Sequence, residues 1–218
     1  MVATAAHPED RNADFTLANH FLIAMPQMAD PRFSGTVIYV CEHSPQGALG
    51  LVINRPTELT LATLFERVDI DLDSESDATS QDQSQNHSRH PSRSAALLNS
   101  PVYAGGPVQT DRGFVLHDPT DTEYGSTLNV DGGLTLTTSR DVLEALAGGT
   151  GPGRVLVALG YTGWDEGQLD DEMARNAWLT VPADPNIIFD VPNEARFNAA
   201  IGLLGFNPAM LSGEAGHA

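Results

Sequence analysis

Three short apolar runs crowded between His20 and Pro56 constrain this chain more than anything else in it. Phe21–Met25, Thr36–Cys41 and Ala48–Asn54 are rich in β-branched residues and bounded by Pro and Gly, the pattern of successive strands. The second and third carry apolar side chains at both parities, so both of their faces must be covered, as in a central strand. Between them Ser44-Pro45-Gln46-Gly47 is a turn of hairpin length. A chain that opens this way has to build a sheet with material packed on both sides. A second dense stretch, ALGYTGWDEGQLDDEMARNAWL from Ala158 to Leu179, has the same texture of strand hydrophobics broken by Gly and Trp.

The remaining segments fill in around these two. Leu61, Leu64, Phe65 and Val68 recur at i, i+3, i+4 and i+7 and predict a helix over Thr60–Val68. Strands are expected at Val102–Ala104 and Gly113–His117. Thr127–Val130 and Leu134–Thr138 form a hairpin around Asp131-Gly132-Gly133. Ser139 is placed to cap a helix that carries Val142, Leu143 and Leu146 and stops at Gly148-Gly149. Arg154–Gly160 is a fully apolar strand, followed by a short helix near Gln168–Asn176. Strands at Trp178–Val181 and Ile187–Phe189 come next. A closing helix, Asn193–Leu204, aligns Phe197, Ala200, Ile201 and Leu204 and ends at Gly205. Hairpins mixed with helical crossovers give an α+β class with a mixed sheet.

Two kinds of segment lie outside that pattern. Met1–Asp14 reads as a flexible polar extension and 211–218 as a flexible tail, leaving one domain over about 15–210. Asp69–Arg93 has almost no large apolar residue after Leu72 and cannot bury enough surface to offset its ordering entropy, so it reads as a disordered insertion. That insertion also explains a hydrophobic content of only 41%. His87 and His90 within it have the spacing of a metal pair but no rigid scaffold, and a solvated linker is the expected state.

Charge narrows the function classes. All 11 basic residues are Arg, against 29 Asp and Glu, for a net charge of −18. Such a chain repels polyanions and shows no basic cluster, so direct nucleic-acid binding is not expected. Cys41 is the only cysteine, which precludes an internal disulfide and fits a reducing cytoplasm. The start of the chain lacks the apolar core of a signal peptide, and no run approaches the ~20 apolar residues of a membrane span. A soluble cytoplasmic protein without membrane contact is the expectation.

Several residue groups could carry chemistry. Glu42-His43 and Asn54-Arg55-Pro56 read together as acid, base and cation. Hairpin pairing, however, sets His43 beside Ala48 and Asn54 opposite roughly Val37, on the order of 20 Å away at ~3.3 Å per residue. Arg55 is expected instead to pair with Asp30 and close the loop 26–35. Gly105-Gly106-Pro107 could form a backbone nest for an anion, with Arg112 adding charge, but a tight turn is the default reading of the glycines. His117-Asp118-Pro119 marks another strand end. In the last stretch Trp164 follows a buried strand, and Gln168, Asp171, Glu172 and Arg175 form one polar helix stripe. That stripe is either a solvated face with an Asp171–Arg175 pair or a binding face. Gln168 or Glu172 is expected to hold the Trp164 loop. No HExxH, CxxC, GxSxG or phosphate-loop pattern occurs, so no catalytic residue, metal ligand or cofactor is assigned.

Read in order, LIAMP with DPRF, VIYVCEH, GALGLVINRP, VYAGGPV, RGFVLH, ALGYTGWDEGQLDDEMARNAWL and LGFNP resemble the AlgH/YqgE family, over about Leu17–Phe206 apart from the insertion. The resemblance implies a bacterial cytosolic protein without an established activity. It implies one α+β domain whose mixed, bifurcated sheet forms a flattened barrel-like core flanked by helices. It also implies a regulatory role, proposed for alginate production and at times described as transcriptional. A charge of −18 and the lack of a helix-turn-helix pattern point to an indirect effect on gene expression. Two functions stay open: a non-enzymatic regulatory or binding module acting through a protein partner, or a small-molecule binder or enzyme using the loops around Arg55, Gly105-Gly106 and Trp164.

Overall fold

The three opening runs form the strands β1 (His20–Ala24), β2 (Val37–Ser44) and β3 (Gly47–Val52). In the computed structural model, residues 16–24, 33–72 and 91–205 are described. The β2–β3 hairpin has the expected register, with His43 opposite Ala48 and Ser44 opposite Gly47, and a bulge at Cys41. Next come β4 (Pro56–Thr60), α1 (Leu61–Arg67), α2 (Pro91–Leu98), β5 (Pro101–Ala104) and β6 (Val108–His117). The hairpin β7 (Thr127–Asn129) and β8 (Thr135–Thr137) leads to α3 (Arg140–Ala147) and β9 (Val155–Trp164). The chain closes with α4 (Gln168–Ala174), β10 (Trp178–Pro182), α5 (Pro185–Phe189) and α6 (Asn193–Gly202).

The strands make one mixed sheet ordered β10-β1-β2-β3-β9-β6-β8-β7, with β4 and β5 branching off β9. Every pairing is antiparallel except β5 with β9. The branch point is β9. Its first half lies between β6 and β5, while Thr162–Trp164 pairs with β3. Gly160 sits between the halves at φ +72°, and a Cβ there would meet the Gly106 carbonyl oxygen at 2.5 Å. Only glycine fits that crossing.

Side-chain parity then builds a half-barrel with three apolar layers. Phe21, Ile23, Tyr39, Leu51, Ile53, Phe114, Leu116 and Leu156 face inward against Ile187, Ile188, Ala200 and Ile201 of α5 and α6. Leu22, Ile38, Val40 and Val52 face the other way, under Leu169 of α4 and the two indoles, Trp164 and Trp178. In the other arm Val115 and Val157 meet Leu61, Phe65, Val142 and Leu146 of α1 and α3. Each fully buried large side chain contributes ~1.5–3 kcal/mol, so covering both sheet faces supplies most of the stabilisation. Both-face burial is what the apolar runs at both parities of β2 and β3 require.

Four expectations need correction. Ile187–Phe189 is not a strand but lies in α5, where the Asp184 carboxylate caps the Asn186 N–H at 2.9 Å and Pro185 opens the helix. Strand β4 and helix α2 were not anticipated, because neither carries a clear apolar period. Ser139 precedes α3 without capping it: its hydroxyl donates to Asp141 at 2.5 Å, and Asp141 accepts from the Val142 N–H at 2.8 Å. The insertion is narrower than 69–93, since Ile70 is buried in the α1/α3 layer and Pro91 already begins α2. Residues 73–90, with His87 and His90, lie outside the described residues, as do the extension 1–14 and the tail 211–218. Among the described residues no helix is long and apolar enough to cross a membrane.

Candidate functional site

The polar stripe on α4 divides in two. Asp171 and Arg175 point outward and form the i,i+4 pair at 3.6 Å, with side chains 73% and 76% exposed. At that exposure it contributes little. Gln168 and Glu172 turn the other way. One Glu172 carboxylate oxygen accepts from both indole N–H groups, Trp164 at 3.0 Å and Trp178 at 2.7 Å, and its second oxygen accepts from Gln168 at 2.9 Å. Gln168 in turn accepts from the Asp165 N–H at 3.1 Å. The two indoles meet edge to face at 6.2 Å. Gly50 lies under the Trp164 ring, where a Cβ would meet the Ile38 side chain at 2.6 Å and the indole at 3.3 Å. Three candidate residues therefore form one clasp, which ties the end of β9 to α4 and β10.

The other candidates are spread apart. Asn54 accepts from the Val37 N–H at 2.9 Å and donates to the Gly35 carbonyl at 2.9 Å, holding the end of β3 to the start of β2. Arg55 donates to the Ser34 carbonyl at 2.6 Å; Asp30, its expected partner, lies outside the described residues. Gly105 and Gly106 form no open nest. The Gly105 N–H donates to the Leu159 carbonyl at 2.9 Å, and a Cβ on Gly106 would lie 2.2 Å from the Tyr161 backbone. Both glycines serve the close backbone crossing at the fork.

The groups with intrinsic reactivity are locked into the fold. Cys41 is 2% exposed and burial pushes its thiol pKa well up, so no thiolate forms near neutral pH. His43 accepts from the Leu17 N–H through Nδ1 at 3.1 Å, while Glu42 points to solvent. His117 is fully buried; its Nδ1 lies 2.6 Å from the Asp118 carbonyl and its Nε2 2.9 Å from the Thr137 hydroxyl. A carbonyl can only accept, so this network assigns the proton of the neutral ring to Nδ1. Burial holds the pKa of His117 below its ordinary value. Asp118 instead pairs with Arg154 at 2.8 Å, and Arg154 with Asp190 at 3.1 Å. Among the described residues no cluster of His, Cys, Asp and Glu is arranged to hold a metal.

Arg196 stands out in the structure but not in the sequence. It is 5% exposed, donates to the Ile53 and Val191 carbonyls and lies 5.1 Å over the Tyr103 ring. Burial lowers its pKa, though a guanidinium keeps its charge. The only sequence signal was a charge beside Phe197 on an otherwise apolar stripe.

The open surface lies at the sheet fork. Two hollows share Leu49 and Tyr161 as a common wall. The larger, about 390 Å³, runs toward Glu42, Gly47, Gly163 and Asp165. The smaller, about 270 Å³, has Phe114 and Leu136 as its floor and Arg112, Ser126 and Thr138 at its rim. Together they make a trough with carboxylates at one end and a guanidinium at the other.

The "AlgH-like" family model, DUF179, matches residues 21–209 of the chain. The chain belongs to the AlgH-like family. UPF0301 proteins of Burkholderia cenocepacia (strain HI2424) and Burkholderia vietnamiensis are 58% and 57% identical to it over 212 residues, covering 97% of this chain and 98% of each relative. The solution structure of AlgH from Pseudomonas aeruginosa matches at a TM-score of 0.69 and 48% identity, over 99% of this chain and 100% of that one. Protein DIP2367 of Corynebacterium diphtheriae shares the fold at a TM-score of 0.57 and 14% identity, over 84% of each chain. None of these names states a substrate or a reaction. What distinguishes this AlgH-like chain chemically must come from its own surface, and among the described residues the trough at the fork is one feature with room for another molecule.

Proposed function

We propose that this protein is a non-enzymatic regulatory or binding module, acting in the cytoplasm through a protein partner that seats in the trough across Leu49 and Tyr161. The trough itself supports this most. It is open, apolar along its wall and oppositely charged at its two ends, which favours one orientation of an occupant. Enzyme chemistry finds less support. Cys41, His117 and Glu172, which could act as nucleophile or base, are committed to burial or internal hydrogen bonds. In the loops around Arg55, Gly105-Gly106 and Trp164, considered for a small molecule, the Gly105 N–H, the Trp164 indole and one Arg55 N–H are committed within the chain. An effect on gene expression would be indirect, given a net charge of −18.

Site-specific photocrosslinking in cells tests the proposal. A photoreactive residue at position 49 should give a discrete protein adduct that the same residue at exposed Glu144 on α3 does not. The adduct should vanish when Tyr161 is replaced by Arg. Identical adducts from both positions, or none from position 49, would refute it. Fluorescence anisotropy with duplex DNA at ~50 mM salt should show no saturable binding.

A further inference from the structure

We propose that the hollow beside Arg112 binds a small amphipathic carboxylate, its apolar body on Leu49, Phe114 and Leu136 and its charged end on the Arg112 guanidinium. Arg112 is held without being neutralised. One of its N–H groups donates to the Thr138 hydroxyl at 2.9 Å, a second reaches the Gln109 amide oxygen at 3.5 Å, and the group lies 5.8 Å over the Phe114 ring. Three of its five donors remain uncommitted, the capacity a carboxylate needs for a two-pronged contact. Arg140, Arg154 and Arg175 are each paired with an acid, whereas Arg112, like Arg55 and Arg67, makes no ion pair among the described residues, and of these three it is Arg112 that lines the hollow. In a chain with 29 acids and 11 bases, a fixed exposed cation lacking a carboxylate partner is a charge left for something else.

The backbone also deviates here. From Val108 to Gly113 β6 takes five steps while β9 takes two from Tyr161 to Leu159, so extra residues are pushed out of the ladder. That excursion carries Gln109, at φ +48°, and Arg112. A left-handed conformation is strained for a non-glycine residue, and such strain concentrates where ligands bind. Phe114 and Leu136 at the floor of the hollow are packed into the core, 4% and 3% exposed. A volume of about 270 Å³ lies just below the usual range of ligand sites and holds about nine groups the size of a water molecule. A straight-chain acid of about ten heavy atoms, such as octanoate, is therefore a suitable probe.

Titration of the full-length protein with octanoate, followed by amide chemical shifts, provides the test. Saturable shifts should appear at Phe114, Thr127 and Leu136, with octanamide binding at least about tenfold more weakly, the worth of one charge-assisted hydrogen bond. Arg112→Gln should weaken octanoate by a similar factor with the melting temperature unchanged, while Arg67→Gln, on the far α1, should change nothing. Absence of saturable shifts up to ~10 mM, equal affinity for octanamide, or undiminished binding to Arg112→Gln would overturn the proposal. The octanamide comparison needs no variant, and neither arm involves a protein partner, so failure here leaves the partner hypothesis standing.

Discussion

Replacing Glu172 by Ala removes the acceptor shared by both tryptophans. Trp164 and Trp178 are 6% and 4% exposed, so neither indole N–H gains full access to water when the carboxylate goes. Hydrogen bonds to a charged group contribute ~1.5–3 kcal/mol each, and an orphaned buried donor costs ~1–3 kcal/mol. Two indole contacts and the Gln168 contact are lost together. They share one carboxylate, so they do not add fully, and a loss of about 3 kcal/mol is expected. In a domain of this size that lowers the melting temperature by roughly 6–12 °C. Glu172→Gln keeps one amide oxygen for the indoles and should cost about a third as much. Because Trp164 and Trp178 are the only tryptophans, indole fluorescence during urea unfolding follows loss of the clasp together with the rest of the fold. Trp178→Phe, which keeps a ring but deletes the N–H, should be non-additive with Glu172→Ala by ~0.5–3 kcal/mol. A Glu172→Ala protein within ±0.5 kcal/mol of the wild type would sink the idea that the stripe is a structural clasp.

Other parts of the fold make their own predictions. Burial holds the folded pKa of His117 below its unfolded value of ~6.5, so the unfolded chain binds the extra proton first. Its contribution is complete above pH ~6.5 and is lost as pH falls from there to the folded pKa; His117→Gln should flatten the stability profile in that window, measured by urea denaturation. Arg196→Ala should destabilise by about 2–4 kcal/mol in the same assay, because the Ile53 and Val191 carbonyls lose their buried donor, and Arg196→Lys should not restore it. Cys41 should resist thiol reagents in the folded protein at pH 8 and react at once in ~6 M guanidinium chloride, following its burial and raised pKa.

Elements with a strong period were legible in the sequence, and those with a mixed signal were not. The β2–β3 hairpin was readable down to His43 opposite Ala48, because apolar runs and a four-residue turn leave little choice of register. Helices α1 and α6 follow from their i, i+3, i+4 spacing. Ile187–Phe189 shows the limit: three consecutive large apolar residues carry no period of their own, and the Asp184-Pro185 start signal decides for helix. Strand β4, PTELT, is exposed or half-buried along its length and owes its existence to pairing with β5, a partner more than thirty residues away in sequence. Local pattern cannot report that.

The surface at the fork was invisible for a different reason. Gln168, Glu172 and Trp164 drew attention because they are close in sequence, and the same closeness lets them satisfy one another. Residues that meet a short distance apart tend to be consumed in local hydrogen bonds, which is the fate of every polar group in the clasp. The trough is assembled instead from Leu49 on β3, Arg112 and Phe114 on β6, Leu136 on β8 and Tyr161 on β9. These converge only because β9 changes partners at Gly160 and β6 is forced outward against it. The sequence did signal that event, in Gly105-Gly106 and in Gly160, but as a backbone requirement rather than as chemistry. Glycines demanded by a close crossing mark where a sheet must split, and here the hollow beside the split is walled by the half-buried Leu49 and Tyr161. In this chain that places an unneutralised guanidinium at the edge of an apolar floor, with no catalytic motif nearby to reveal it.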